Sequence, residues 1–143
     1  MAALAAATNR RARGEVKYRF KVPVKATSQI WKGGIVGCGT DGFAVAAVSG
    51  ANVKVLGVAA ESVLGGATDG AKAIEVECGR EYLFTASSIT QAMLGQAMKV
   101  IDDNTVDETS ANSQVVGSLT EFVSTTSGWV LVPGLSVAQA LSA

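Results

Sequence analysis

The sequence predicts an all-β fold, and three observations carry that prediction. Apolar residues recur in short runs with a period of two, glycine-rich turns separate those runs, and Gly, Val, Ala, Ser and Thr outweigh strong helix formers, with 16 glycines against 2 prolines. At 143 residues, 48% of them hydrophobic, the chain suits one domain with a real core. The clearest stretch runs from Trp31 to Glu61. There Ile35 to Cys38, Phe43 to Val48 and Val53 to Ala60 read as strands cut by turns at Gly39-Thr40-Asp41-Gly42 and Ser49-Gly50-Ala51-Asn52. Short, evenly spaced strands are the pattern of a small antiparallel barrel or sandwich. Small residues such as Gly37, Ala46 and Gly57 leave little room for a side-chain layer, so close backbone approach or hard bending is expected among them.

From the start of the chain, Met1 to Gly14 shows no apolar periodicity and holds Arg10, Arg11 and Arg13 with no acidic residue in the segment. It reads as an extended basic arm that orders only on a partner, ahead of a barrel body at residues 15–143. On this reading, removing the arm leaves the body's stability almost unchanged. From Glu15 the alternation is strict. Val16, Tyr18, Phe20, Val22 and Val24 share one face, and Lys17, Arg19, Lys21, Pro23 and Lys25 share the other. Proline places this half-buried strand at a sheet edge, where a missing N–H costs no ladder bond.

The loop Gly65 to Gly70 follows, then an alternating strand Ala71 to Cys78 with Glu75 and Glu77 on one face, then a strand Glu81 to Ala86. Ser87-Ser88 caps a short helical turn through Leu94, closed by Gly95. Met98 to Asp102 resumes as a strand and turns back towards Val106. Val115 to Phe122 and Trp129 to Val132 form a final hairpin, and Leu135 to Leu141 one more helical turn. Eight or nine strands are expected in all.

A formal net charge of zero hides an asymmetry. Residues 1–32 carry eight cations against Glu15 alone, and the remainder carries four cations against eleven carboxylates. Either the basic part binds something acidic, or copies of the chain bind each other head to tail. Residues 2–7 are too short for a signal peptide and carry their charges on the wrong side, and no apolar run reaches the length of a membrane span. The expectation is a soluble, unexported protein with no membrane partner.

Candidate chemistry is sparse. Histidine is absent, which removes the commonest general base and zinc ligand. Cys38 and Cys78 lie in predicted strands and read as buried, reduced apolar residues. The acidic group Asp102, Asp103, Asp107 and Glu108 lacks the spacing of a calcium loop and reads as a solvated turn. Glu75 and Glu77 read as ordinary strand-surface glutamates. Gly33, Gly34, Gly37 and Gly39 lack the phosphate-loop pattern. The rings of Tyr18 and Phe20 alternate out of phase with the cations, so they belong to the core and form no stacking platform for single-stranded nucleic acid. Neither enzyme activity nor a cofactor or metal is expected.

A further set of motifs gives a resemblance. Trp31-Lys32-Gly33-Gly34, DGFAVAA (Asp41 to Ala47), GVAAE (Gly57 to Glu61), YLF (Tyr82 to Phe84), the run from Ser87 to Val106 and VVGSLTEF (Val115 to Phe122) resemble, in that order, the small decoration or cement proteins of tailed-phage capsids. The resemblance implies a compact β-barrel or β-tulip-like body. Such a body attaches in many copies, often as trimers, to the outside of an expanded head and bridges subunits of the major capsid protein. It implies a virion location on the capsid surface, after assembly in the host cytoplasm. A bridging protein needs a stable fold, arms and repetition rather than an active site, since many weak contacts on a lattice sum to firm attachment. The expected capsid-binding residues are Arg10, Arg11, Arg13, Lys17, Arg19 and Lys21. The alternatives are a tail-tube or connector component, or a nucleic-acid-binding barrel.

Overall fold

A computed structural model describes residues 3–50, 54–108 and 114–133. Its strands are β1 (Ala12–Arg13), β2 (Tyr18–Pro23), β3 (Gln29–Ile30), β4 (Ile35–Cys38), β5 (Ala44–Ala46), β6 (Lys54–Ala59), β7 (Val63–Leu64), β8 (Ala73–Cys78), β9 (Arg80–Ala86), β10 (Ala97–Val100), β11 (Thr105–Asp107), β12 (Val115–Ser124) and β13 (Ser127–Val132). The fold is all-β, as expected, and the only helical piece among the described residues is a 3-10 turn at Gln91–Met93.

Strand β9 organises the larger sheet. Along one edge it pairs antiparallel with β13 from Arg80 to Thr85. Along the other it takes β1 at Glu81 and Tyr82, and then β11, in parallel, at Thr85 and Ala86. The ring β9, β11, β10, β12, β13 returns to β9 and closes a five-stranded barrel. Closure removes exposed sheet edges and fills the interior with side chains, here Tyr82, Phe84, Ile89, Met98, Val106 and Leu119. The second sheet runs β2, β8, β6, β4, β5 around a core that includes Val24, Val36, Leu56, Ile74 and Val76. A single parallel bridge from Val24 to Ala44 joins its two ends. Phe20 packs against both cores and so ties the two sheets together.

The central module matches its prediction closely. Expected strands at Ile35 to Cys38, Phe43 to Val48 and Val53 to Ala60 correspond to β4, β5 and β6, with β5 shorter than expected. Close backbone approach is real at Gly57: a Cβ there would lie 2.6 Å from the Glu77 carbonyl and 2.9 Å from Val76 Cγ1. The β4–β6 ladder also shifts register between Val36 and Gly37, the hard bend expected of that region. At Gly117 in the barrel wall a Cβ would fall 1.8 Å from the Leu131 carbonyl. Only glycine fits there.

Some expectations need correction. Tyr18 is not a core residue but 65% exposed, because it stands at the end of the β2–β8 ladder with no further rung to cover it. The short helical turn expected before Leu94 is a 3-10 turn at Gln91–Met93, and its N-cap is Thr90 with no side-chain cap bond, not Ser87 or Ser88, because the turn starts three residues later. The final hairpin is longer than predicted and turns at Thr125 and Thr126, with Ser124 facing Ser127. The strands β1, β3 and β7 were not expected, since two residues are too few to show alternation. The helical turn expected at Leu135 to Leu141 lies outside the described residues. Among the described residues, no helix is long and apolar enough to cross a membrane.

Cys38 sits in the core of the second sheet and Cys78 in that of the barrel, both as free, buried thiols whose pKa values burial pushes up. The native protein is therefore predicted to resist alkylation and, in denaturant without reductant, to expose both thiols; a thiol count of zero after denaturation would contradict this separation. For Gly117→Ala, the backbone clash predicts a loss of about 2–3 kcal/mol in urea unfolding. An unchanged midpoint would show that the β12–β13 wall can open to admit a methyl group.

Candidate functional site

The N-terminal segment decides how the basic residues are disposed. Gly34 carries no side chain and packs beside Leu4, whose N–H donates to the buried Asp103 carboxylate at 2.9 Å. Thr8 N–H donates to the Lys32 carbonyl at 2.9 Å. The chain then enters β1, where Leu83 N–H donates to the Arg11 carbonyl at 3.0 Å. Residues 3–14, expected to stand off the barrel, thus complete part of its wall.

Arg10 is the anchor of this segment. Its guanidinium donates to the Gly33 carbonyl through Nε, to the Leu83 carbonyl at 2.8 Å and to Asn104 Oδ1 at 2.6 Å, and it lies 4.6 Å from the centre of the Phe84 ring. Burial pushes its pKa down to about 10, with Asp103 and Asp102 opposing that shift, so it stays charged at neutral pH. A partly buried cation needs acceptors in place of the water it loses, and three separate chain segments supply them here. Arg13 is also engaged, with Nε at 2.8 Å from Glu81, Nη1 at 2.8 Å from Glu121, and its guanidinium 4.3 Å from the Trp129 ring centre. Arginines expected to await carboxylates on a neighbour therefore find their partners within the chain. The partners lie far away in sequence, which is why composition and spacing could not reveal them.

The same matching continues along β2. Its register sets Arg19 opposite Glu77 and Lys21 opposite Glu75, so the basic face of β2 and the acidic face of β8 form neighbouring rows. Of the six ion pairs among the described residues, five join residues 1–32 to the rest of the chain. Head-to-tail association of copies is thus not needed to explain the charge asymmetry. Pro23 takes the edge position expected of it, opposite Ala73 on the outermost strand of the sheet.

Between the N-terminal segment and the two sheets lies a cleft of about 350 Å³. Arg10, Arg19, Lys32 and Arg80 line it together with Glu75 and Glu77, over a floor that includes Gly33, Val58 and Ala59. Glu77, 7% exposed, is held by Arg80 at 2.6 Å, by the Tyr82 hydroxyl at 3.1 Å and by Arg19 at 3.5 Å. Burial holds the Tyr82 phenol well above its ordinary pKa, so it remains a donor to that carboxylate. Sequence reasoning missed this site because it treated Glu75 and Glu77 as surface residues; the cross-strand register of β2 and β8 was the missing signal. Asp103, expected in a solvated turn, is instead 3% exposed, and burial pushes its carboxyl up.

Of the expected capsid-binding residues, the structure brings Arg10 and Arg19 to the cleft and commits Arg13 to an ion-pair bridge. Arg11, Lys17, Arg19 and Lys21 are exposed. Lys17, Lys21 and Lys32 make no ion pair among the described residues.

Two predictions follow from this geometry. Arg10→Ala removes the donor to the Gly33 and Leu83 carbonyls and the bond to Asn104, and is expected to cost about 3 kcal/mol in urea unfolding. Arg10→Lys should recover less than half of that, because an ammonium lacks the guanidinium fork. A loss below about 0.5 kcal/mol, the range of ordinary surface substitutions, would show that the anchor is not formed. The bonds from Arg13 and Thr120 hold the Glu81 carboxyl below its ordinary value. That contribution to stability is present above the unfolded pKa of about 4.3 and is lost as pH falls through the lower folded value. Arg13→Ala should therefore flatten the acid limb of the stability profile; an unchanged limb would exclude the pair as its source. The chain matches no protein-family model, and no curated protein matches it.

Proposed function

We propose that this protein is a structural virion component that attaches to the outside of a tailed-phage head and stabilises it by bridging subunits of the major capsid protein. The observation that carries the reading is the row of exposed cations Lys17, Arg19 and Lys21, on and just before the edge strand β2 of the second sheet. The motifs that resemble capsid decoration proteins support it, and so does the fold class those motifs imply. Exposed cations on a rigid edge offer charge-assisted bonds to carboxylates of a capsid subunit with little ordering cost. A trimer or other homo-oligomer suits the repetition of a capsid lattice. Arg10 and Arg13, used inside the fold, contribute by holding the N-terminal segment in place rather than by touching the capsid.

The test is co-sedimentation with expanded heads of a phage whose genome carries this sequence. A fixed ratio of bound protein to capsid subunit is expected. Replacing Lys17, Arg19 and Lys21 by alanine should lower occupancy with little loss of stability. Added salt should act in the same direction, since exposed charges are screened within about 10 Å at 0.1 M. Absence of saturable binding, or full occupancy by the triple variant, would overturn the reading.

A further inference from the structure

We infer that the cleft between the N-terminal segment and the two sheets is a receptor for a single carboxylate side chain of a neighbouring protein chain. The inference deepens the proposed head attachment and rests on it for the identity of the neighbour. Four cations and two carboxylates line the cleft. Glu77 is already satisfied by Arg80 and Tyr82. Arg19 holds it only at 3.5 Å and has a side chain that is 56% exposed. Lys32 is exposed and has no ion pair among the described residues. Arg19 and Lys32 therefore bring unspent donors to one concave space.

Size and charge select the occupant. The cleft's volume of about 350 Å³ falls at the small end of ligand pockets, which run from roughly 300 to 1,000 Å³. It suits one side chain and its flanking backbone, not a folded element. Glu75 also lines the cleft, and only Lys21 stands opposite it in the β2–β8 register. A monoanion meets less repulsion from Glu75 than a dianion such as phosphate. Val58, Ala59 and Gly33 contribute only small groups to a lining that is otherwise polar, which leaves room for the slim stem of a glutamate.

Titration of the full chain, followed by the NMR signals of the Arg19 side-chain Nε–H and the Gly33 and Ala60 amides, tests this without phage heads. The probes are acetyl-Gly-Glu-Gly-amide, its Gln counterpart and inorganic phosphate. The Glu peptide is expected to give saturable shifts with a Kd of about 1–10 mM. The Gln peptide should give none, and phosphate should bind more weakly than the Glu peptide. Arg19→Ala/Lys32→Ala should weaken the Glu peptide at least tenfold while Lys54→Ala, at an exposed cation outside the cleft, does not; Arg19→Gln/Lys32→Gln serves if the alanine variant is poorly folded. Lack of saturation, shifts that survive in the double variants, or tighter phosphate binding would overturn the inference. Peptide binding without attachment to heads would leave the cleft assigned and remove the capsid as its partner.

Discussion

A partly buried cation needs acceptors in place of the water it loses, and the seating of Arg10 is the constraint on which the arrangement of this chain depends. Its three acceptors come from the turn before β4, from the middle of β9 and from the turn before β11. Those segments belong to both sheets, so one guanidinium fixes where the N-terminal segment, the small sheet and the barrel meet. Asp103 works alongside it, its charge favouring the protonated guanidinium while its carboxylate accepts from Leu4 N–H. Hydrogen bonds to a charged group in a site of low dielectric are stronger than their neutral counterparts. Loss of any one acceptor would leave a charge underpaid by its surroundings.

Charge complementarity within the chain follows the same logic on a larger scale. A basic N-terminal third and an acidic remainder would be expected to seek external partners if each stayed apart. Antiparallel pairing of β2 with β8 instead lays cations beside carboxylates, and β1 brings Arg13 to Glu81. Exposed pairs of this kind stabilise little individually. Their effect is on register: a one-residue slip of β2 would turn Arg19 and Lys21 towards the core and Phe20 and Val22 to solvent. Lys17, Lys21 and Lys32 stay exposed and outside the ion pairs among the described residues.

Much of the fold was legible in the sequence. Alternation placed β2, β4, β6 and β8 to within three residues at each end and overextended β5, because period-two burial is a local signal. Pro23 marked the edge, and glycine marked the tight approach at Gly57. The candidate site was less legible, for a physical reason. The contacts that bring its walls together join residues far apart in the chain, such as Arg10 with Leu83 and Arg19 with Glu77, and only Arg80 and Tyr82 reach Glu77 from nearby. A segment judged by its own composition looked too polar to fold, yet it folds because the barrel presents it with carbonyls and carboxylates. Tyr18 shows the opposite error, since alternation assigned it to the core although the ladder ends beneath it.

Docking of the N-terminal segment onto the barrel is the central claim, and amide hydrogen exchange on the intact, isolated chain measures it most directly. Leu4 and Thr8 donate across the junction, and Leu83 of β9 donates to the Arg11 carbonyl. All three amides should exchange far more slowly than those of an unstructured peptide, with Leu83 protected to the same degree as its neighbours in β9. Unprotected exchange at Leu4, Thr8 and Leu83, with the rest of β9 still protected, would show that the segment stands away from the barrel and would contradict the account.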